Sequence, residues 1–293
     1  MKRLISAVLA SATILLTTSI APASADTTLH IESATVHKTG AGAKAIVLIP
    51  GLGSGPFVYD GVVGELAQRM TVYNVAFDGF DGAPAGKAPY LASFTQSIVD
   101  LIAQEHLVKP LVVGHSLGGH IAVRLAETIP TQLGAVMAID SLPLFPLAAP
   151  GETPASRKAG VAAFQAAMTN APQAAFEAQS RASIAMLVTD PKNVDIVNAH
   201  SLKSDRATFV GAAVDMELED LTPDLAKISV PLTVLAPASA YTPEQTAAFY
   251  GNLYAGVPHL SVVPIANSKH FAMLDQPAAF RAALDAFVAA NSH

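Results

Sequence analysis

The 293-residue sequence has no cysteine and no tryptophan, and only 14% of its residues are charged. Without cysteine there is no disulfide, no Cys-ligated zinc, no iron–sulfur cluster and no thiol nucleophile. Cations are also scarce: 17 Lys and Arg stand against 23 Asp and Glu, a formal charge of −6 that offers no basic field for nucleic acid. The rest of the composition is apolar, with 51% hydrophobic residues and a mean hydropathy of +0.41, too apolar for a disordered chain. The length holds one large α/β domain or two smaller ones, and no internal repeat is visible.

Part of the hydropathy sits at the start. Met1-Lys2-Arg3 is a basic head, Leu4 to Ile20 is apolar with Ser and Thr interspersed, and Ala21-Pro22-Ala23-Ser24-Ala25 supplies a breaker and a small-residue cleavage site. Residues 1–25 therefore read as a secretory signal peptide removed before Asp26, which makes the mature protein periplasmic or secreted. A membrane anchor is the alternative, but the run is short for a spanning helix and diluted by hydroxyls. No later window reaches spanning length without a charge or a Pro/Gly break, so no stable membrane span is expected in the mature chain.

From Ala43 onward, short apolar runs alternate with longer amphipathic ones. Ala45–Ile49, Thr71–Phe77, Pro110–Val113, Ala135–Ile139, Pro231–Ala236 and His259–Pro264 are rich in Val, Ile and Leu and read as strands buried on both faces. Tyr59–Arg69, Ser93–His106 with a Ser93/Gln96 capping box, Leu117–Thr128, Pro243–Tyr254 and Pro277–Ala290 read as helices. The alternation predicts an α/β fold with a doubly wound, mainly parallel sheet. It breaks between Ser141 and Ser229, where Ala-rich helical stretches such as Arg157–Thr169 and Gln173–Val188 occur without a convincing strand. The expected organisation is a core of residues 26–140 and 230–293 carrying a helical cap, residues 141–229, inserted between the strand ending near Ile139 and the strand starting near Pro231.

The chemistry is carried by Gly114-His115-Ser116-Leu117-Gly118. It lies between the strand Leu111-Val112-Val113 and a helix, the setting in which flanking glycines Gly114 and Gly118 permit a sharp turn with Ser116 exposed at the sheet's edge. A serine hydroxyl needs a base, and that base needs an orienting acid. Among nine histidines, His270 follows the last strand and a short loop and reaches the same sheet edge. His30 and His37 precede the alternating pattern, His115 and His120 flank the elbow, and the others sit at helix ends, in the cap, at the opposite strand end or at the terminus. For the acid, Asp140 comes directly after Ala135–Ile139, whereas Ala236-Pro237-Ala238-Ser239-Ala240-Tyr241 offers no carboxylate until Glu244. Asp140 is the expected acid and Glu244 the alternative. The loop Pro50-Gly51-Leu52-Gly53-Ser54-Gly55 after the first apolar strand is expected to bring the backbone N–H of Leu52 beside that of Leu117 as an oxyanion hole. It lacks the Gly-Lys-Ser/Thr ending of a phosphate loop.

Together Pro50-Gly51-Leu52-Gly53, Gly114-His115-Ser116-Leu117-Gly118-Gly119 and His270-Phe271-Ala272-Met273-Leu274-Asp275 make the sequence resemble the α/β-hydrolase superfamily over about Ala45 to Ala289. The resemblance implies two-step acyl transfer on Ser116, a cap that shapes an acyl pocket, and no cofactor or metal. The chain departs from the common pattern in its Pro50-Gly51 opening and in the missing aspartate after the penultimate strand. A carboxylic-ester hydrolase acting on a small or medium apolar ester is the primary expectation. A serine peptidase or amidase, a lactonase and a C–C hydrolase use the same residues, and a binding protein without turnover keeps the fold. Phe164, Met168, Phe176, Met186, Leu187 and Phe209 are candidates for the acyl pocket. Asp215, Glu217, Glu219, Asp220 and Asp224 have no calcium-loop spacing and read as a solvated helix-end face.

Overall fold

A computed structural model describes residues 26–145 and 149–292, so the expected signal peptide lies outside the described residues. Eight strands form one sheet: β1 (Thr27–Ile31), β2 (Ala34–Thr39), β3 (Ala45–Ile49), β4 (Thr71–Phe77), β5 (Leu111–His115), β6 (Ala135–Ile139), β7 (Leu232–Ala238) and β8 (Leu260–Ala266). Their order across the sheet is β1-β2-β4-β3-β5-β6-β7-β8. β2 pairs antiparallel with both β1 and β4, and every other neighbouring pair is parallel. Parallel neighbours need crossovers, supplied by α1 (Asp60–Leu66), α2 (Tyr90–Gln104), α3 (Leu117–Thr128) and α8 (Pro243–Leu253); α9 (Ala272–Asp275) and α10 (Pro277–Asn291) follow β8.

The central strands are covered on both faces, which explains their unbroken apolar runs. Val47, Ile49, Val112, Val136 and Val234 share one core with Phe94 and Ile98 of α2 and Ile121 of α3. Their sequence neighbours Ile46, Leu48, Val113 and Met137 pack in the other core, with Leu66 of α1 and Phe280 and Phe287 of α10. This is the strand period of two written into buried structure.

The structure corrects the sequence reading in three places. His30 and His37 belong to the β1–β2 hairpin, which extends the sheet; Thr27–Ile31, the edge strand, is mostly exposed and Ala34–Thr39 buries only Ala34 and Val36, so neither carries the long apolar run of a central strand. β8 is the opposite edge and is only part-buried, although its sequence reads as an interior strand. The Ser93/Gln96 capping box is absent: α2 begins at Tyr90, the Ser93 hydroxyl donates to the Pro89 carbonyl, and Gln96 donates to Asp100.

Between β6 and β7 the chain forms α4 (Pro154–Asn170), α5 (Gln173–Leu187), α6 (Pro191–Ser201) and α7 (Arg206–Leu218). Proline stands in the first turn of α4 and α6, where its missing N–H is no loss, and Thr153, Asp190 and Asp205 cap α4, α6 and α7 through their side chains. α4 packs on α7 and α5 on α6, and a space remains between the pairs. Arg206 fixes the α4–α5 joint by donating to the Ala171 carbonyl (2.7 Å) and stacking over Phe176.

Two substitutions test this architecture. Phe94 is fully buried and stacks on Phe77 with ring centroids 4.4 Å apart. Phe94→Ala is expected to lower unfolding free energy by about 3–5 kcal/mol in a denaturant titration. Glu127 on α3 is half-buried; burial, and then the charge of Asp224, raise its pKa from 4.5 to about 7, and its Oε1 has no hydrogen-bond partner among the described residues. The unfolded carboxyl ionises first as pH rises, so the fold loses stability between about pH 4.5 and 7. We expect a decline of about 1 kcal/mol after solvent screening, absent in Glu127→Gln, from denaturation midpoints at pH 5 and 8.

Candidate active site

The turn from β5 into α3 places Ser116 at the carboxyl edge of the sheet with φ +54° and ψ −117°. A non-glycine residue there costs on the order of 1–3 kcal/mol, so its surroundings must hold it. They do so by close approach: a Cβ on Gly114 would lie 2.0 Å from the Gly118 carbonyl oxygen, and one on Gly118 would lie 2.3 Å from that of Ile49. The Ser116 N–H donates to the Ile139 carbonyl (2.9 Å), tying the elbow to the end of β6. Leu117 opens α3, where first-turn N–H groups have no acceptor within the helix. The loop after β3 passes directly over the elbow, since a Cβ on Gly51 would lie 3.1 Å from Ser116 Cβ.

Asp140 follows β6 with φ +41°, and its N–H donates to the Leu235 carbonyl of β7. Its Oδ2 lies 2.6 Å from His270 Nδ1. Its Oδ1 accepts a hydrogen bond from the Tyr250 hydroxyl of α8. Burial alone would raise the Asp140 pKa, but the charge and hydrogen bond of His270 and the hydrogen bond of Tyr250 outweigh it and hold the carboxyl below its ordinary value. Tyr254, one turn further along α8, donates to the Ser141 carbonyl (2.9 Å). Glu244 is elsewhere, exposed in the first turn of α8, where its own backbone N–H and the Thr242 side chain lower its pKa.

His270 is held from several sides. The Lys269 N–H donates to Asp275 Oδ2 (2.8 Å), and Lys269 Nζ reaches the carbonyls of Ala185 and Val188 at the end of α5. The fully buried His115 lies beneath, its ring 4.5 Å from that of His270. Burial, and then the His270 charge, push the His115 pKa down to about 3, so its one N–H sits on Nε2 and donates to the His270 carbonyl (3.0 Å). The sequence reading passed over His115, Tyr250 and Tyr254. Their spacing in the chain carries no sign of a polar task, because all three also satisfy the apolar side of an element.

Ser116, Asp140, His270 and Leu52 line one cavity of about 430 Å³, a size suited to a small molecule. It is roofed by the helices between β6 and β7. Phe164, Met168, Phe176, Leu187 and Phe209 line it as expected; Met186 does not, being 78% exposed. The acidic stretch is dispersed rather than forming one solvated face. Asp215 accepts from the Leu91 N–H, Glu219 bonds both His120 and Arg124, Asp220 caps Thr222, Asp224 pairs with Lys227, and Glu217 lines the cavity. Among the described residues no group of three or more His, Cys, Asp or Glu is arranged to hold a metal.

The sequence and the fold are similar to those of known proteins. The chain is 34% identical over 87 residues to an uncharacterized protein of Mycobacterium tuberculosis, a stretch covering 29% of this chain and 26% of the relative. The chain thus spans about a quarter of the length of the first relatives it matches. It is 34% identical over 116 residues to a pimeloyl-[acyl-carrier protein] methyl ester esterase of Aeromonas hydrophila, covering 39% of this chain and 43% of that one. Its fold is similar to that of an esterase from Exiguobacterium antarcticum, with a TM-score of 0.73, 18% identity, and coverage of 88% and 98% of the two chains. The model of the alpha/beta hydrolase family matches residues 46–283, and the protein belongs to that family.

Proposed function

We propose that the protein is a serine hydrolase that cleaves carboxylic esters through an acyl-enzyme on Ser116. The observation that carries this reading is the 2.6 Å contact between Asp140 and His270 Nδ1 in a cavity that also exposes Ser116. With Nδ1 engaged, Nε2 of His270 is the nitrogen available to the serine. It takes the Ser116 proton as Oγ attacks the ester carbonyl, and the N–H groups of Leu52 and Leu117 receive the oxyanion. Collapse of the tetrahedral intermediate breaks the C–O bond, and His270 gives its proton to the departing alcohol. Water, deprotonated by the same imidazole, then attacks the acyl-enzyme, the acyl–Oγ bond breaks to release the acid, and His270 returns the proton to Ser116 Oγ. Asp140 stabilises the imidazolium formed in each half-reaction. The esterase named among the relatives supports an ester as the substrate, and the helices between β6 and β7 serve as the cap over the acyl chain.

Export belongs to the same proposal, resting on the basic head, apolar run and small-residue site of residues 1–25. Expressed in its host, the protein is expected in the periplasm or medium with Asp26 at its N-terminus, measured by intact mass; a cytoplasmic protein beginning at Met1 would contradict export.

For the chemistry, chromogenic esters of graded chain length are the assay. Ser116→Ala is expected to lose at least about 10⁴-fold in kcat, and Asp140→Asn a similar factor, while Glu244→Gln stays within threefold. Tyr250→Phe removes a hydrogen bond to a charged acceptor and is expected to cost about tenfold in kcat. Wild type indistinguishable from Ser116→Ala across the panel would overturn the enzyme reading, and a large loss confined to Glu244→Gln would overturn the choice of acid.

A further inference from the structure

The cavity wall is selective in charge. Apart from Asp140, His115 and His270, the only titratable side chain among its described lining residues is Glu217, on α7, and no Lys or Arg lines it. The rest of the described wall is uncharged, with aromatic and thioether groups such as Phe145, Phe164, Met168 and Met216 beside aliphatic side chains and serines. Arg157 lowers the Glu217 pKa electrostatically, but its guanidinium is directed to the Glu152 carboxylate (2.6 Å) and to the backbone carbonyls of Glu217 and Phe145. No ion pair or hydrogen bond to the Glu217 carboxyl is found among the described residues. Burial raises its pKa, as it does for a carboxyl lacking close donors in an apolar wall.

A carboxyl in this position acts on a bound ligand in two ways. It repels a second carboxylate, an interaction that strengthens as water leaves the site. It also offers acceptor oxygens to a donor on the ligand, the only charged acceptor among the described lining residues apart from the one that Tyr250 and His270 occupy. We infer that Glu217 determines specificity: the site takes uncharged esters whose chain carries a hydrogen-bond donor, such as a hydroxyl or amide N–H, and rejects esters ending in a free carboxylate. This rests on the ester-hydrolase reading above and narrows its substrate class. The serines and glutamine that α5 adds, Ser180, Ser183 and Gln179, fit the same preference for neutral polar groups.

The test uses three p-nitrophenyl esters of equal chain length ending in methyl, hydroxyl or carboxylate. In wild type, kcat/KM is expected to be highest for the hydroxyl ester and about 100-fold lower for the carboxylate ester; in Glu217→Gln that ratio falls at least about tenfold. Turnover of the carboxylate ester within threefold of the methyl ester, or an unchanged ratio in Glu217→Gln, would overturn the inference. Affinities of the same esters for Ser116→Ala, with and without Glu217→Gln, give the selectivity independently of turnover. If wild type hydrolyses none of them faster than Ser116→Ala while the binding order holds, the ester-hydrolase reading fails and the charge selection stands. A flat binding order overturns the charge selection.

Discussion

The structure depends on a backbone packed so closely at one turn that only glycine fits on either side of it. Gly114 lies against the Gly118 carbonyl and Gly118 against that of Ile49. These contacts lock the end of β5 onto β3 and onto the start of α3, and they hold Ser116 at positive φ. Relaxing the turn would swing the serine away from the edge where β6 presents Asp140 and the segment after β8 presents His270. A parallel sheet makes this convergence possible, because all its carboxyl ends lie along one edge.

Around that turn, much of the molecule serves to stiffen groups already brought together. Asp140 is fixed from behind by Leu235 of β7 and from the side by Tyr250, while Tyr254 secures the next peptide. His270 is held by His115 below and by the Lys269 and Asp275 contacts around its loop. α8 therefore does more than cross between β7 and β8: where the chain after β7 offers no carboxylate until Glu244, α8 supplies Tyr250 to brace the carboxylate after β6, and Tyr254 at its end holds the neighbouring Ser141 carbonyl. His115 is effective because burial keeps it neutral and leaves its one proton for the His270 carbonyl.

The sequence was most legible where one physical demand dominates. Ala45–Ile49, Thr71–Phe77 and Ala135–Ile139 have the same bounds in the sequence reading and in the structure, because strands covered on both faces must be apolar throughout. The turn at the elbow was legible because its glycines are sterically obligatory, and the place of Asp140 beside His270 because it directly follows a strand. The hairpin of β1 and β2 was missed because most of its residues are exposed or part-buried and so are free to be polar. Ser93 and Gln96 imitate a cap that tertiary packing does not use. Tyr250 was hidden for a different reason: a tyrosine on the inner face of a helix looks like core, and only the fold shows that its hydroxyl meets a carboxylate 110 residues away. Glu217 looked like one of a run of solvated acids until the fold turned it towards the cavity.

The central claim is that Ser116 is a nucleophile activated by His270 and Asp140. It is tested most directly by exposing the protein to an alkyl fluorophosphonate and mapping the adduct by peptide mass spectrometry. The account predicts one adduct, on Ser116, formed in wild type and slowed strongly in His270→Ala. An unlabelled Ser116, or labelling as fast without His270 as with it, would contradict the account.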